Sequence, residues 1–171
     1  MIETSAQQSL QTQPSESKQQ RLVRRAIRRK SFATLATVSP TGKAHVAGVI
    51  YSALDDELWV HTMLSSHKVR NIANNPSIGV CIVYRRLPVG PPFTIHFQAK
   101  ASIVEIDSIQ AKDRIATGKL KSITGHGALE IEGACFLQIR PGSSIHSFGP
   151  GVPTLDLIKD PIGSGGRSVR M

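Results

Sequence analysis

Cysteine, aromatic side chains and acidic charge are all scarce in this 171-residue chain, and each scarcity narrows what the protein can be. The two cysteines, Cys81 and Cys135, sit in apolar runs without CxxC spacing. Neither a disulfide framework nor a zinc knuckle follows from that pattern, and a reducing, cytoplasmic setting is expected. No apolar run reaches the length of a signal-peptide core or a membrane span, and the first residues, MIETSAQQSLQTQPSESKQQ, are polar. A soluble chain that is not exported is therefore expected. Aromatics make up 5% of the residues, and none interleaves with the arginines as a single-strand nucleic-acid binder prefers. Catalytic motifs are missing too. His45, His61, His67, His96, His126 and His146 show no HExxH or paired Cys/His spacing, so no metal site is expected. There is no GxSxG elbow, and GSGGRS near the C-terminus lacks the lysine and spacing of a P-loop.

What remains is an ordinary globular composition, 40% hydrophobic and 19% charged, enough for one domain with a sizeable core. Twenty-one Lys and Arg against twelve Asp and Glu give a formal charge of +9, which favours anionic partners: nucleic acid, phosphate-bearing cofactors or acidic substrates. Residues 1–17 are rich in Gln, Ser and Thr and read as a disordered leader. From 18 to 149 the pattern is that of a folded domain, and the Gly- and Pro-rich stretch 150–171 reads as a loosely held tail.

Within the domain, Leu22, Val23, Ala26 and Ile27 recur at helical spacing, with five arginines between Arg21 and Arg29 covering the rest of the circumference. Ser31 to Val38, Lys43 to Ala53 and Glu57 to Met63 read as three strands of an antiparallel meander, turned at Ser39–Gly42 and at Asp55-Asp56. A short helix follows between Ser65-Ser66 and Asn74-Asn75-Pro76. Ile78 to Tyr84 is an apolar strand, Leu87 to Pro92 a loop, and Phe93 to Ile103 alternates as a strand; its apolar phase slips to Val104 and Ile106, which suggests a bulge or the strand's end. Ser108 to Leu120 reads as a helix and Ala134 to Arg140 as a strand continued by Ser143 to Phe148. At least six strands with a few short helices predict a mainly β, α+β domain built as a closed or nearly closed antiparallel barrel.

The helix start Ser65-Ser66-His67-Lys68 joins hydroxyl caps, free backbone N–H groups at the positive end of a helix dipole, and a lysine in the first turn. That is a phosphate-binding combination, although an ordinary N-cap with a solvated lysine has the same local pattern. The surrounding stretches FATLATVSPTGKAHVAGVIY, ELWVHTMLSSHKVRNIANNPSIGVCI and GACFLQIRPGSSIHSFG, in that order, resemble the pyridoxamine 5'-phosphate oxidase-like FMN-binding split β-barrel family over Ser31 to Gly149. The resemblance implies a homodimer with two flavin sites at the subunit interface. It places Ala47, Val49 and Ile50 against the flavin ring, His61 and Thr62 near the ribityl chain, and Ser66, His67 and Lys68 at the phosphate. His67 stands where the family often has an arginine.

No counterpart is found to the basic residues that would hold a pyridoxal phosphate substrate, which argues against vitamin B6 oxidation. The leading expectation is an oxidoreductase using FMN, or alternatively the deazaflavin coenzyme F-420, to pass a hydride to or from a small conjugated organic substrate. No catalytic side chain is assigned, and His61 and Tyr84 are the polar groups that could donate a proton near the cleft. The alternatives are a non-catalytic flavin or haem binder and a basic nucleic-acid-binding barrel. The arginine helix could attract the acidic tail of a deazaflavin, contact nucleic acid, or cap the barrel as a solvated helix.

Overall fold

The computed structural model describes residues 16–85 and 92–170. The expected leader, apart from Glu16 and Ser17, and most of the expected 87–92 loop lie outside the described residues. Eight strands form one antiparallel sheet: β1 (Phe32–Val38), β2 (Ala44–Ile50), β3 (Ser52–Leu54), β4 (Glu57–Met63), β5 (Ser77–Tyr84), β6 (Phe93–Glu105), β7 (Ala134–Phe148) and β8 (Gly166–Arg170). Their order across the sheet is β2-β1-β5-β6-β7-β4-β3, with β8 pairing the second half of β7. The sheet curls into a half-barrel, and β2 comes back against β4. Helices α1 (Lys18–Arg29), α2 (His67–Asn74), α3 (Ile109–Ala116), α4 (Lys121–Thr124), α5 (Thr154–Lys159) and α6 (Pro161–Gly165) fill the ends and the outer side.

The curl has a local cause in β6 and β7. Ala99 pairs with Pro141 and Phe97 with Ile145, so Gln98 alone faces the three residues 142–144. Extra residues on one strand bend it and increase its twist, and Pro141 is tolerated because the ladder is already interrupted there. The two strand segments read on either side of Pro141-Gly142 are thus one bent strand. The phase slip after Ile103 is not a bulge, since the β6 register is regular from Ala99 to Glu105, where the strand ends. Both faces of the sheet are covered here: Ile103 packs on the main core inside the curl, and Val104 on a second core with Trp59, Phe136, Leu120 and Ile123.

Glycine freedom and side-chain hydrogen bonds fix the remaining turns. Asp55 and Asp56 both take positive φ, 48° and 66°, which matches the twist of the tight β3–β4 hairpin. The expected second strand breaks at Tyr51, whose ring is buried and whose hydroxyl donates to the Ile27 carbonyl at 2.8 Å. This bond ties the end of α1 to the sheet, and burial pushes the phenol far above its ordinary pKa. The stretch after Gly149, expected to hang loosely, instead carries α5, α6 and β8, anchored by buried Val152, Leu157 and Val169. Three apolar anchors so far apart leave no periodicity to read. Gly149 itself, at φ 99°, lies so close to the Phe93 ring that a Cβ would collide with it.

One carboxylate joins β4 to β7. Burial alone would raise the Glu57 pKa, but hydrogen bonds from Gln138 and Arg140, with the Arg140 charge and Trp59, hold it below the usual value. Its Oε2 accepts from Gln138 Nε2 at 2.7 Å and Trp59 Nε1 at 3.3 Å, and its Oε1 accepts from Arg140 Nε at 2.8 Å. Gln138 and Trp59 are buried, and among the described residues neither side-chain nitrogen donates to any other acceptor. Glu57→Ala is therefore expected to destabilise the fold by about 1–3 kcal/mol, the cost of orphaning buried donors, measured by urea denaturation at neutral pH. A loss below about 0.5 kcal/mol, the scale of an ordinary surface substitution, would contradict the role given to Glu57.

Candidate cofactor cleft

Helix α2 is held by its own buried face. Val69 and Ile72 reach the main core, and Asn71, also buried, donates through Nδ2 to Thr37 Oγ1 on β1 at 3.0 Å. The helix start is thereby fixed beside the β1–β2 hairpin. Ser66 is its N-cap, with extended backbone (φ −71°, ψ 148°), yet its side chain makes no capping hydrogen bond. The Ser66 Oγ is buried and has no partner among the described residues. A capping hydroxyl normally accepts from the second or third helical N–H, so this oxygen and the first amides of α2 are left for something else.

Around the same helix start the charge is positive. His67 stacks on His45 of β2, ring centres 5.6 Å apart, and its Nδ1 lies 3.1 Å from a guanidinium nitrogen of Arg70, one turn further along α2. An arginine is thus present beside His67 after all, displaced by three residues. The ammonium of Lys68 is pushed below the ordinary lysine pKa by burial and partly back by Cys135. A bound anion would reverse that burial penalty.

A cleft of about 560 Å³ opens next to Lys68. One wall is the end of β2, Gly48, Val49 and Ile50; another is His61 of β4; the third is the α4 region, where Lys121, Ser122, Ile123 and His126 face in. Of the residues expected at a cofactor, Val49, Ile50, His61 and Lys68 are brought together here. Ala47 lies two residues back on β2, and Ser66 and His67 form the adjoining helix start without lining the cleft itself. Strand alternation sends His61 to the Trp59 side of β4 and Thr62 to the Val60 side, where it is buried. Tyr84 lines a different cleft, beneath α1.

Sequence reasoning missed Arg70, Lys121, Ser122 and His126. The last three sit in LKSITGHG, a stretch too short and too mixed for a periodicity, though its lysine, hydroxyls and glycines are what an anion-binding loop uses.

The donor set fits a flat cofactor bearing one phosphate. Ser66 Oγ and the α2 amides offer neutral donors, Lys68 and Lys121 supply charge, and Gly48 to Ile50 present backbone and apolar surface for a ring. His61 adds a second orphan: its Nε2 is buried without a partner among the described residues, and its ring packs edge-on against Phe136. Burial lowers the His61 pKa, opposed in part by the Ala128 backbone, and so favours the neutral ring. As pH falls through the ordinary value of 6.5, an unfolded His61 takes up a proton that the folded one resists. Stability contributed by neutral His61 is then lost with acid, and His61→Gln is expected to flatten the fall in melting temperature between about pH 7 and 5. An unchanged slope would place the acid sensitivity elsewhere.

Comparisons with known proteins bear on the fold that carries this cleft. No curated protein sequence matches the chain. Among solved structures, the haem storage protein HutZ of Vibrio cholerae superposes with a TM-score of 0.64 at 17% identity, over 75% of this chain and 94% of its own. A pyridoxamine 5'-phosphate oxidase-related, FMN-binding protein of Nostoc punctiforme gives 0.58 at 16% identity, over 92% and 98%. General Stress Protein 26 of Bacillus anthracis gives 0.59 at 24%, over 88% and 97%. These likenesses establish the fold, a split barrel whose solved examples include FMN-binding and haem-binding proteins. Residues 20–132, from α1 to the turn before β7, match the family described as pyridoxamine 5'-phosphate oxidase, and the chain belongs to that family.

Proposed function

We propose that this protein is an FMN-binding oxidoreductase, active as a homodimer in the cytoplasm, with the cofactor phosphate at the start of α2. The observation that carries the reading is the buried, unpartnered Ser66 Oγ at that helix start, beside Lys68 and a cleft of flavin-accommodating size. FMN, when bound, supplies two-electron hydride chemistry with a small conjugated substrate. The chain's own residues bind and orient. Ser66 and the α2 amides hold the phosphate oxygens, Lys68 and Lys121 balance their charge, and the neutral His61 offers one nitrogen to hold or pass a proton at the cleft wall.

Dimerisation is supported by an apolar outer face. Phe32, Val38, Val46 and Ile50 of the β1–β2 hairpin are 54%, 38%, 64% and 61% exposed, and Val83 of β5 is 51% exposed. Ile50 belongs both to this face and to the cleft, so a second copy seated on the face would also close the site against water. FMN is favoured over coenzyme F-420 because no residue of α1 lines this cleft, and the arginines stand apart from it. Haem binding is the second reading, on the ground that His61 and His126 line one cleft and either could ligate iron.

Titration of the full chain with FMN, followed by flavin fluorescence, is expected to give saturable binding that Lys68→Ala and Ser66→Ala each weaken by about tenfold or more, one lost charge-assisted contact. Binding of FMN that neither variant alters would refute the phosphate assignment. A haemin titration yielding a sharp Soret band abolished by His61→Ala, with no FMN binding, would select the second reading. For activity, reduced holoprotein is expected to pass electrons to conjugated carbonyl or quinone acceptors faster than free reduced FMN does; equal rates would leave a binder without catalysis. Val46→Asp is expected to yield monomers on native mass spectrometry and to weaken FMN binding with them.

A further inference from the structure

A second cleft, of about 730 Å³, lies between α1 and the turn at Pro150–Pro153 and shares no lining residue with the cofactor cleft. Its floor is apolar, made by Leu22, Tyr84, Phe93 and Val152. Its rim carries Lys18, Arg25, Arg29, Lys30 and Arg85, and among the described residues no acidic one lines it. Tyr84 and Phe93 meet edge-to-face at 5.6 Å, and the Lys30 ammonium sits 5.2 Å from the Tyr84 ring centre.

The two charged faces of α1 differ in a telling way. Arg24 pairs with Glu16 at 3.0 Å and with Asp56 at 2.7 Å, and Arg28 reaches Asp56 at 3.6 Å. Arg25 and Arg29, one position on, make no ion pair among the described residues, although they stand one turn apart on the same face. Like charges at that spacing repel, and a run of them over an apolar floor is stabilised when an anion sits between them. Arginine pairs bind phosphate oxygens in a bidentate way, while the floor offers an unpolar surface for a ring.

We propose that this cleft is a separate binding site for a small molecule that joins two or more phosphates to a flat ring, the chemistry of nucleoside di- and triphosphates. The phosphates lie along Arg25 and Arg29, and the ring covers Leu22 and Val152. The volume suits one mononucleotide and is too small for a folded nucleic-acid partner to enter.

Calorimetric titration of the full chain with ATP, tripolyphosphate and adenosine tests this. ATP is expected to bind more tightly than either of its parts, and Arg25→Gln/Arg29→Gln to weaken it at least tenfold. Arg24→Gln/Arg28→Gln removes the same charge from the Asp56 side and is expected to change affinity less than threefold. Lys68→Ala is expected to leave ATP affinity unchanged, so that failure of the FMN assignment and failure of this one are read separately. Equal losses from both arginine pairs, tripolyphosphate binding as tightly as ATP, or a single-stranded oligonucleotide outcompeting ATP through either pair would overturn the proposal. Should the double variant lose its thermal transition, Arg29→Gln alone replaces it, with a loss of at least threefold expected and no loss overturning the proposal.

Discussion

A buried side-chain hydrogen bond, from Asn71 Nδ2 to Thr37 Oγ1 at 3.0 Å, holds the start of α2 against the β1–β2 hairpin. Everything assigned to the cofactor cleft depends on that placement. The bond contributes about 1 kcal/mol net, but its more important effect is positional: shifting α2 would leave a buried amide unpaired, at a cost of about 1–3 kcal/mol. With α2 fixed there, the buried Ser66 hydroxyl stands at the helix start without capping it, and the first amides stay open. Helix-end polarity, a serine hydroxyl without a partner among the described residues and a half-buried lysine then converge within three residues of chain.

The sheet supplies the opposite wall, and at β4 that wall is backed by buried side chains on both of its faces. Residues pointing into the curl build the main core, while Trp59, Val104 and Phe136 on the other side pack against α3, α4 and the chain between them. The Glu57 carboxylate locks the same strands together by accepting from Gln138, Trp59 and Arg140. Packing α4 onto this outer core is what carries Lys121 and His126 to the cleft. A segment that looks peripheral along the chain thus becomes part of the site through the core beneath it.

How much of this was readable in the sequence follows from the range of each signal. The hairpins, α1 and α2 rest on alternation, turn residues and caps within a few positions of each other, and they were legible. The cause of the slip at Ile103 and Val104 was not, because two-sided burial and a bulge break alternation alike; the actual irregularity, opposite Gly142 to Ser144, leaves no mark on the apolar pattern. Strand β8 was invisible for a related reason: in GRSVR only Val169 is buried, and pairing with β7 is long-range. At the site, Lys68 and Ser66 could be named from local chemistry, whereas Lys121 and His126 enter through tertiary packing that no local pattern encodes. The arginine helix reads as basic, but which arginines have acidic partners is decided by Asp56, on a turn far along the chain.

The central claim is that the α2 start grips a phosphate. Comparing the affinities of FMN and riboflavin for the full-length protein tests it most directly, since the two ligands differ only in that group. Two charge-assisted contacts, each worth about 1.5 kcal/mol, correspond to about a hundredfold preference for FMN. Equal affinity for the two ligands would contradict the account.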